Sequence, residues 1–269
     1  MQVIGLCRFS YPALGGFQRA HENIEQRKAY LYSKTRLQHR LRLFQCINLP
    51  SIVGQTDPDF TYLILTGDDL PEWALERLLE LTENIDFITI IQHPPRPHRE
   101  IAAAVILDQI NSTYSHSIQF RLDDDDAVGH TFVERLKRDA TAAQLEYPND
   151  PRFALDYAHG FAIRPSSEGL VAQQLIRKLW TPALAAVFKT SSSQTIMNFG
   201  HHKLDQHMPV IRKKTPPMFL RSFHDENDSV SARNANRFKF NGLTDAQHKQ
   251  FIDEFHVDPN MIRRHWTVV

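Results

Sequence analysis

Four consecutive aspartates, Asp123, Asp124, Asp125 and Asp126, are the residues of this chain whose type and spacing most clearly predict chemistry. Two like charges about 4 Å apart repel by roughly 1 kcal/mol in water and by about 4 kcal/mol at an effective dielectric constant of about 20. A partly enclosed group of four carboxylates therefore needs a cation, hydrogen bonds from backbone amides, or raised pKa values. Oxygen ligands suit hard divalent ions, so we predict a site for Mg²⁺ or Mn²⁺, and less distinctively for Ca²⁺.

The spacing of these aspartates leaves more than one chemistry open. The D-x-D pattern occurs twice, and in a strand alternate side chains point the same way, so either pair could chelate one ion or a metal-bound diphosphate. Asp124-x-Asp126-x-Val128 also matches the D-x-D-x-[TV] pattern of phosphatases that use an aspartate nucleophile. Those enzymes usually carry the pattern on their first strand, whereas three predicted strands precede it here. A binding module that holds Ca²⁺ without catalysis is a third hypothesis, and an exposed acidic turn is the alternative without function.

The residues around the aspartates predict where they lie in the fold. Apolar and polar residues alternate over 117–122, which is the period of a strand with one buried face. Thr131 and Glu134 then form a capping-box pattern that opens a helix. The carboxylates are thus expected at the C-terminal end of a strand, just before a helix. In an open α/β sheet, ligands bind at that edge.

The first 150 residues alternate between strand and helix patterns. Strands are predicted at 2–9, 61–66, 87–92 and 117–122, and helices at 21–49, 71–83, 99–111 and 131–146. This order predicts an α/β fold with a mixed, mostly parallel sheet flanked by helices.

The second half of the chain does not alternate regularly between strand and helix patterns. A strand or hairpin interrupted at Gly160 is predicted at 153–163, a helix or strand pair at 170–180, a strand at 218–223, and a capped helix at 244–255. We find no repeat and no linker, so we expect a single domain over residues 1–269.

Arginines recur in the predicted helix at 21–49. Arg36, Arg40 and Arg42 fall where an amphipathic helix places charged residues, so the pattern predicts a solvated face rather than a phosphate site.

Composition excludes several classes of protein. The 31 basic and 31 acidic residues give a formal net charge of zero, so composition shows no footprint for nucleic acid. Cys7 and Cys46 have no metal-ligand spacing and fit a reducing compartment. The longest apolar run, 101–107, is too short for a membrane span, and the first residues lack a signal-peptide pattern. We expect a cytoplasmic protein, with peripheral membrane association open.

Several short motifs resemble the family of putative rhamnosyltransferases of bacteria, whose members resemble GT-A-fold glycosyltransferases. The motifs are Arg8-Phe9-Ser10, Leu49-Pro50-Ser51-Ile52 with Gln55-Thr56-Asp57-x-x-Phe60, Arg121-Leu122-Asp123-x-Asp125-Asp126-Ala127, His201-His202, and Leu220-Arg221-x-x-His224-x-x-Asn227-x-Ser229. The resemblance implies a GT-A-like nucleotide-diphospho-sugar transferase fold. It also implies a metal-dependent glycosyltransferase of the hexosyltransferase type, with rhamnose among the candidate sugars and a nucleotide-sugar-binding half at 1–150.

The resemblance also implies roles for particular residues. Asp123 and Asp125 match the D-x-D pair, one near the ribose of a nucleotide sugar and one on the metal. His224 matches a late histidine on the metal side, and Arg8 would face the nucleotide. We therefore expect donor binding by Arg8, Asp123 and Asp124 and metal binding by Asp125, Asp126 and His224.

Transfer chemistry explains why these residue types are needed. Departure of a nucleoside diphosphate builds negative charge, which Mg²⁺ or Mn²⁺ held by carboxylates stabilises. An inverting enzyme also needs a general base for the acceptor hydroxyl, on a glycan or a lipid-linked acceptor. Asp205 lies close in sequence to His201 and His202, in the half (151–269) expected to bind the acceptor, and it is our candidate base.

Overall fold

The fold is built on two sheets in the computed structural model, which describes residues 1–15, 21–224 and 238–267. The strands are β1 (Gln2–Arg8), β2 (Thr61–Gly67), β3 (Ile88–His93), β4 (His116–Arg121), β5 (Ala127–Val128), β6 (Arg152–Tyr157), β7 (His159–Ser166), β8 (Gly169–Ile176), β9 (Leu184–Lys189), β10 (Val210–Lys213), β11 (Phe219–Ser222) and β12 (Asn241–Gly242). The helices are α1 (Ile24–Leu31), α2 (Lys34–Leu43), α3 (Leu49–Val53), α4 (Glu72–Thr82), α5 (His98–Asp108), α6 (Phe132–Glu146), α7 (Asp245–Phe255) and α8 (Pro259–Thr267). A π-helical segment (Phe44–Asn48) joins α2 to α3, and two short 3₁₀ helices cover Ile196–Asn198 and His201–Gln206.

The larger sheet has seven strands in the order β10-β6-β9-β4-β1-β2-β3. β1 lies between β2 and β4 and is parallel to both, and β3 continues the parallel run beyond β2. β9 is antiparallel to β4 and to β6, and β10 is parallel to β6. This mixed, mostly parallel sheet with flanking helices confirms the predicted α/β fold class. β4 is the fourth strand in the sequence, as predicted.

Strand β4 is buried on both faces, not on one. Its apolar residues Ile118 and Phe120 are fully buried, and so is Ser117. Gln119 is also buried, where its amide nitrogen donates to the hydroxyl of Ser117 (2.9 Å) and its oxygen accepts from the backbone N–H of Ile196 (3.0 Å). These hydrogen bonds satisfy the polar groups that the alternating pattern would place toward water. The prediction of one buried face was therefore wrong.

The smaller sheet has five strands in the order β12-β8-β7-β11-β5. The segment predicted as a helix or strand pair at 170–180 is β8, which pairs antiparallel with β7. The predicted interruption at Gly160 falls instead between β6 and β7, at Ala158. β11 lies between β7 and β5. Because β5 directly follows the four aspartates, this pairing brings the end of β11 beside them.

The helix termini agree only in part with the capping patterns. Thr244 and Gln247 form the predicted capping box at the start of α7. Thr131 makes no cap hydrogen bond at the start of α6, and Glu134 accepts from the hydroxyl of Thr56 (2.8 Å) instead. No helix among the described residues is both long enough and apolar enough to cross a membrane.

Candidate functional site

The four aspartates lie in a turn between β4 and β5, at the end of the sheet where β1 also terminates. The backbone N–H of Asp126 donates to the carbonyl of Asp123 (3.0 Å). The buried side-chain amide of Asn48 donates to the carbonyls of both residues (3.0 and 3.2 Å) and accepts from the hydroxyl of Tyr62 (3.0 Å). Since β4 ends at Arg121, the strand rule of alternating side chains does not apply to the aspartates, and that part of the prediction was wrong.

Asp124 is buried against Arg40. The guanidinium Nε of Arg40 donates to Oδ2 of Asp124 at 2.9 Å, and its Nη2 pairs with Oδ1. Nη1 of the same guanidinium lies 3.3 Å from Oδ2 of Asp125. Both oxygens of Asp124 are thus engaged by one arginine, which is the bidentate geometry that favours arginine over lysine.

The arginines of α2 are therefore not a solvated face, contrary to the prediction. Arg36 and Arg40 are buried, and Arg42 is half-buried with its guanidinium over the ring of Trp266. Arg36 and Arg40 are four residues apart and so share one face of the helix. That face is turned toward the site, where Arg36 donates to the hydroxyl of Ser10 (3.3 Å).

Asp123, Asp125 and Asp126 form what we call the carboxylate triplet. Each offers one oxygen, and the three oxygens lie within 4.8 Å of one another. The side chain of Asp123 is 28% exposed, whereas those of Asp125 and Asp126 are 5% and 0% exposed. The triplet is therefore reached from the side of Asp123.

The electrostatics of the triplet test whether it suits a cation. Burial favours protonation of Asp125, but Arg40 and a hydrogen bond from His224 outweigh it and hold the pKa of Asp125 below its ordinary value. Burial also favours protonation of Asp123, but the charges of Arg221 and Arg8 outweigh it and lower the pKa of Asp123. Burial raises the pKa of Asp126, and the charges of Asp125 and Asp123 raise it further. Arg221 lowers this pKa but does not outweigh them.

Asp123 and Asp125, whose pKa values are lowered, provide oxygen ligands in the ionised form. A hard divalent cation prefers such ligands, so these residues fit Mg²⁺ or Mn²⁺.

Arg221, on β11, is a functional residue that the sequence reasoning named only as part of a motif. Its Nη1 donates to Asp126 (2.6 Å) and lies 3.2 Å from Asp123. The backbone N–H of Ser222 donates to the other oxygen of Asp126 (2.9 Å). Asp126 therefore fixes Arg221 and the end of β11. The spacing Leu220-Arg221-x-x-His224 was the signal that could have identified it.

His224 lies at the triplet, as the resemblance implied. Its Nε2 is 2.8 Å from Oδ2 of Asp125, and because an ionised carboxylate only accepts, Nε2 is the donor. The rings of His224 and His39 are in edge contact at 4.9 Å between centroids. Burial lowers the pKa of His224, which Asp125 partly offsets, and burial together with His224 lowers the pKa of His39 to about 3.

Arg8 also reaches the site, from the end of β1. Its Nη2 lies 3.4 Å from Oδ1 of Asp123. On the same side, Nη2 of Arg121 lies 3.5 Å from Nδ1 of His201. Burial, and then the charge of Arg121, lower the pKa of His201 to about 4, so its imidazole is neutral near neutral pH. Asp123 thus belongs to the triplet and also pairs with Arg8, near Arg121 and His201.

Asp205 is not part of the carboxylate triplet. It is exposed on the 3₁₀ helix His201–Gln206. Its charge adds to burial in raising the pKa of Asp156, which pairs with Arg212 (2.7 Å). His201, the first residue of this helix, connects it to the site. The role of Asp205 as a base stays a prediction.

Comparison with solved structures gives distant likenesses. S. aureus TarS 1-349 in complex with UDP-GlcNAc is 12% identical, over 85% of this chain and 60% of that chain, with a TM-score of 0.44. A putative nucleotide-diphospho-sugar transferase from Desulfovibrio desulfuricans G20 is 12% identical, over 98% of this chain and 99% of that chain, with a TM-score of 0.40. This chain therefore spans about 60% of the length of the TarS structure. Likenesses at this level carry no argument about substrate.

Comparison of sequences is more decisive. No curated protein matches the chain. The model of the family described as putative rhamnosyl transferase matches residues 2–236. That range includes every residue of the site described above, from Arg8 to His224. The chain belongs to this family, which is described as putative rhamnosyl transferase.

Proposed function

We propose that this chain is a metal-dependent glycosyltransferase that moves a sugar from a nucleoside diphosphate donor to a hydroxyl of a glycan or lipid-linked acceptor. The observation that supports this most is the carboxylate triplet, with three oxygens within 4.8 Å of one another. It lies where the parallel strands β1 and β4 end, which is where open α/β sheets bind ligands. Rhamnose, named in the family description, is the sugar we propose to test first.

Each residue of the site has a proposed role. Asp123 and Asp125 hold Mg²⁺ or Mn²⁺, and the bound ion would offset negative charge on the departing diphosphate. His224 donates to Asp125 and keeps that carboxylate oriented. Asp126 orients Arg221, and Asp124 orients Arg40.

The proposed acceptor side includes the 3₁₀ helix His201–Gln206. Asp205, exposed on the helix that begins at His201, is the proposed base that removes the proton of the acceptor hydroxyl. We treat residues 1–269 as one domain in which the donor binds to the half at 1–150 and the acceptor to the half at 151–269.

The phosphatase hypothesis loses support from the geometry. A nucleophilic aspartate must present an oxygen to the phosphorus atom. Both oxygens of Asp124 are engaged by Arg40, and Asp124 is only 1% exposed. We therefore expect no hydrolysis of simple phosphate esters.

The proposed function is tested by thermal unfolding with a panel of nucleoside diphosphates, each with and without Mn²⁺. A ligand at about 100 times its Kd stabilises the folded chain by roughly 2.7 kcal/mol. For a chain of this size that corresponds to an upward shift of roughly 5 to 10 °C. We expect at least one nucleoside diphosphate to give such a shift with Mn²⁺. Stabilisation by Ca²⁺ alone, with no response to any nucleotide, would instead support a binding module.

A further inference from the structure

Three arginines and one histidine lie beside Asp123, and we call this group the basic recess. It brings together the end of β1, the start of α5, the end of β4 and the start of the second 3₁₀ helix. Its members are Arg8, Arg99, Arg121 and His201.

The basic recess places several guanidinium groups close to one carboxylate. Arg8 pairs with Asp123 at 3.4 Å, and the same carboxylate also pairs with Arg221 at 3.2 Å. The exposed Arg99 guanidinium reaches toward Gly200, with Nη2 3.8 Å from where a Cβ on that glycine would lie. Asp123 thus pairs with two guanidinium groups, and the recess contains two further arginines, Arg99 and Arg121.

Arg121 is the member least satisfied by the protein. Its buried Nε has no hydrogen-bond partner among the described residues. Its Nη2 faces Nδ1 of His201 at 3.5 Å, and because arginine only donates, the imidazole nitrogen accepts and contributes no negative charge. A buried guanidinium without a full set of acceptors costs free energy, which an anion in the recess would recover.

The arrangement of the cations favours a ligand with more than one phosphate. Arginine forks bind phosphate oxygens in pairs, and a diphosphate presents two adjacent groups of such oxygens. The recess provides three guanidinium groups and adjoins the triplet through the pair of Arg8 with Asp123.

We propose that the basic recess binds the diphosphate of the donor directly, so that the chain holds a nucleoside diphosphate without a metal ion. This inference rests on the proposed function. It assigns part of the neutralisation of the leaving group to Arg8, Arg99 and Arg121, which remain in place whether or not the triplet holds an ion.

The test uses inorganic pyrophosphate, which carries the diphosphate and no base or sugar. Its binding to the full chain is measured by calorimetry in EDTA at low and at high salt. We expect binding that weakens as salt rises, since exposed charges are screened within a Debye length of about 10 Å at 0.1 M salt. Arg121→Gln should weaken binding by about tenfold or more, a change that corresponds to one lost charged hydrogen bond.

Two further variants keep the test decisive. Arg99→Gln changes an exposed side chain, and it should weaken pyrophosphate binding several-fold even where Arg121→Gln folds poorly. Arg77→Gln changes an exposed arginine on α4, paired with Glu80, and is the matched control that should leave binding unchanged. Nucleoside diphosphates should compete with pyrophosphate.

The outcomes separate this inference from the proposed function. If nucleoside diphosphates stabilise the chain with Mn²⁺ but pyrophosphate does not bind in EDTA, the recess inference is overturned and the proposed function stands. Pyrophosphate binding with which nucleoside diphosphates do not compete would also overturn it, because the recess would then hold another anion, such as an acidic group of the acceptor. Failure of every nucleoside diphosphate to bind, with or without Mn²⁺, would overturn both.

Discussion

Arg40 holds Asp124 by both carboxylate oxygens, and this pair decides which of the four aspartates are available to a ligand. The two side chains are almost completely buried, at 8% and 2% exposure. Both oxygens of Asp126 are likewise engaged, by Arg221 and by the backbone N–H of Ser222, so Asp123 and Asp125 are the two carboxylates of the triplet that we propose hold the ion. The two overlapping D-x-D patterns are therefore not equivalent, and the pattern with Asp123 and Asp125 is the one the fold presents.

Replacing Arg40 should strongly destabilise the fold. Arg40→Met keeps the length of the side chain but leaves Asp124 and Asp125 without their buried cation. Breaking a buried pair by removing one partner costs about 3 to 5 kcal/mol, which urea unfolding would show as a lower midpoint. Lys249→Met is the matched control, because its pair with Asp253 is exposed and solvent screening leaves such pairs little effect on stability. A loss in Arg40→Met no larger than in the control would contradict the account of this pair.

Asp124 and Asp125 should differ in their effect on metal affinity. Calorimetric titration with Mn²⁺ should show a loss in Asp125→Asn that exceeds the roughly 10 to 100-fold typical of residues that only orient a ligand. Asp124→Asn should stay at or below that range, since Asp124 acts through Arg40. Both titrations are made well below the melting temperature of each variant. Equal losses in the two variants would mean that Arg40 does not separate their roles.

The acid sensitivity of the fold should depend on His201. Its pKa is lowered from 6.5 to about 4 in the folded chain. Between those values the unfolded chain binds more protons, so the stability contributed above pH 6.5 is lost progressively as the pH falls toward 4. His201→Gln should therefore show a shallower fall in melting temperature over this range.

The decline with acid should not vanish in His201→Gln. The pKa values of His39 and His98 are also lowered, to about 3 and about 2, mainly by burial, so these residues keep part of it. The exposed neighbour His202 provides the matched control, and His202→Gln should show a steeper fall than His201→Gln. A His201→Gln curve with the wild-type slope would show that His201 is not protonated differently in the two states.

Removal of the proposed base should affect transfer rather than binding. General base catalysis contributes about 10² to 10⁴-fold, so Asp205→Asn should lower kcat by a factor in that range. Asp205 is exposed, and its charge acts on Asp156. Donor affinity and melting temperature should therefore stay close to those of wild type. Unchanged kcat in this variant would remove Asp205 from the reaction.

Much of the fold followed from local periodicity. β4 and β11 were predicted because short alternating runs are typical of strands, and α7 because Thr244 and Gln247 cap it through neighbouring residues. The same reasoning was wrong at Thr131, where Glu134 is drawn to Thr56, a residue far away in sequence. Local patterns predict local hydrogen bonds only while no tertiary partner competes.

The arrangement of the site depends on contacts that no spacing reveals. Asn48 fixes the turn of the aspartates from 75 residues away, and it breaks the strand geometry on which the pairing of alternate aspartates was based. Arg40 was expected on a solvated face because an amphipathic helix turns its charged residues toward water. Its partners are Asp124 and Asp125, and only the packing of α2 against the end of the sheet brings them together.

The most direct test of the central claim is turnover of nucleotide sugars by the wild-type chain and by Asp125→Asn, in Mn²⁺ and in EDTA. The account predicts that wild type releases nucleoside diphosphate from at least one nucleotide sugar in Mn²⁺. Asp125→Asn should lose this activity, while Asp253→Asn, in an exposed ion pair far in sequence from the triplet, should retain it. Turnover in Asp125→Asn equal to that of wild type would contradict the claim that the carboxylate triplet is the metal site of a glycosyltransferase.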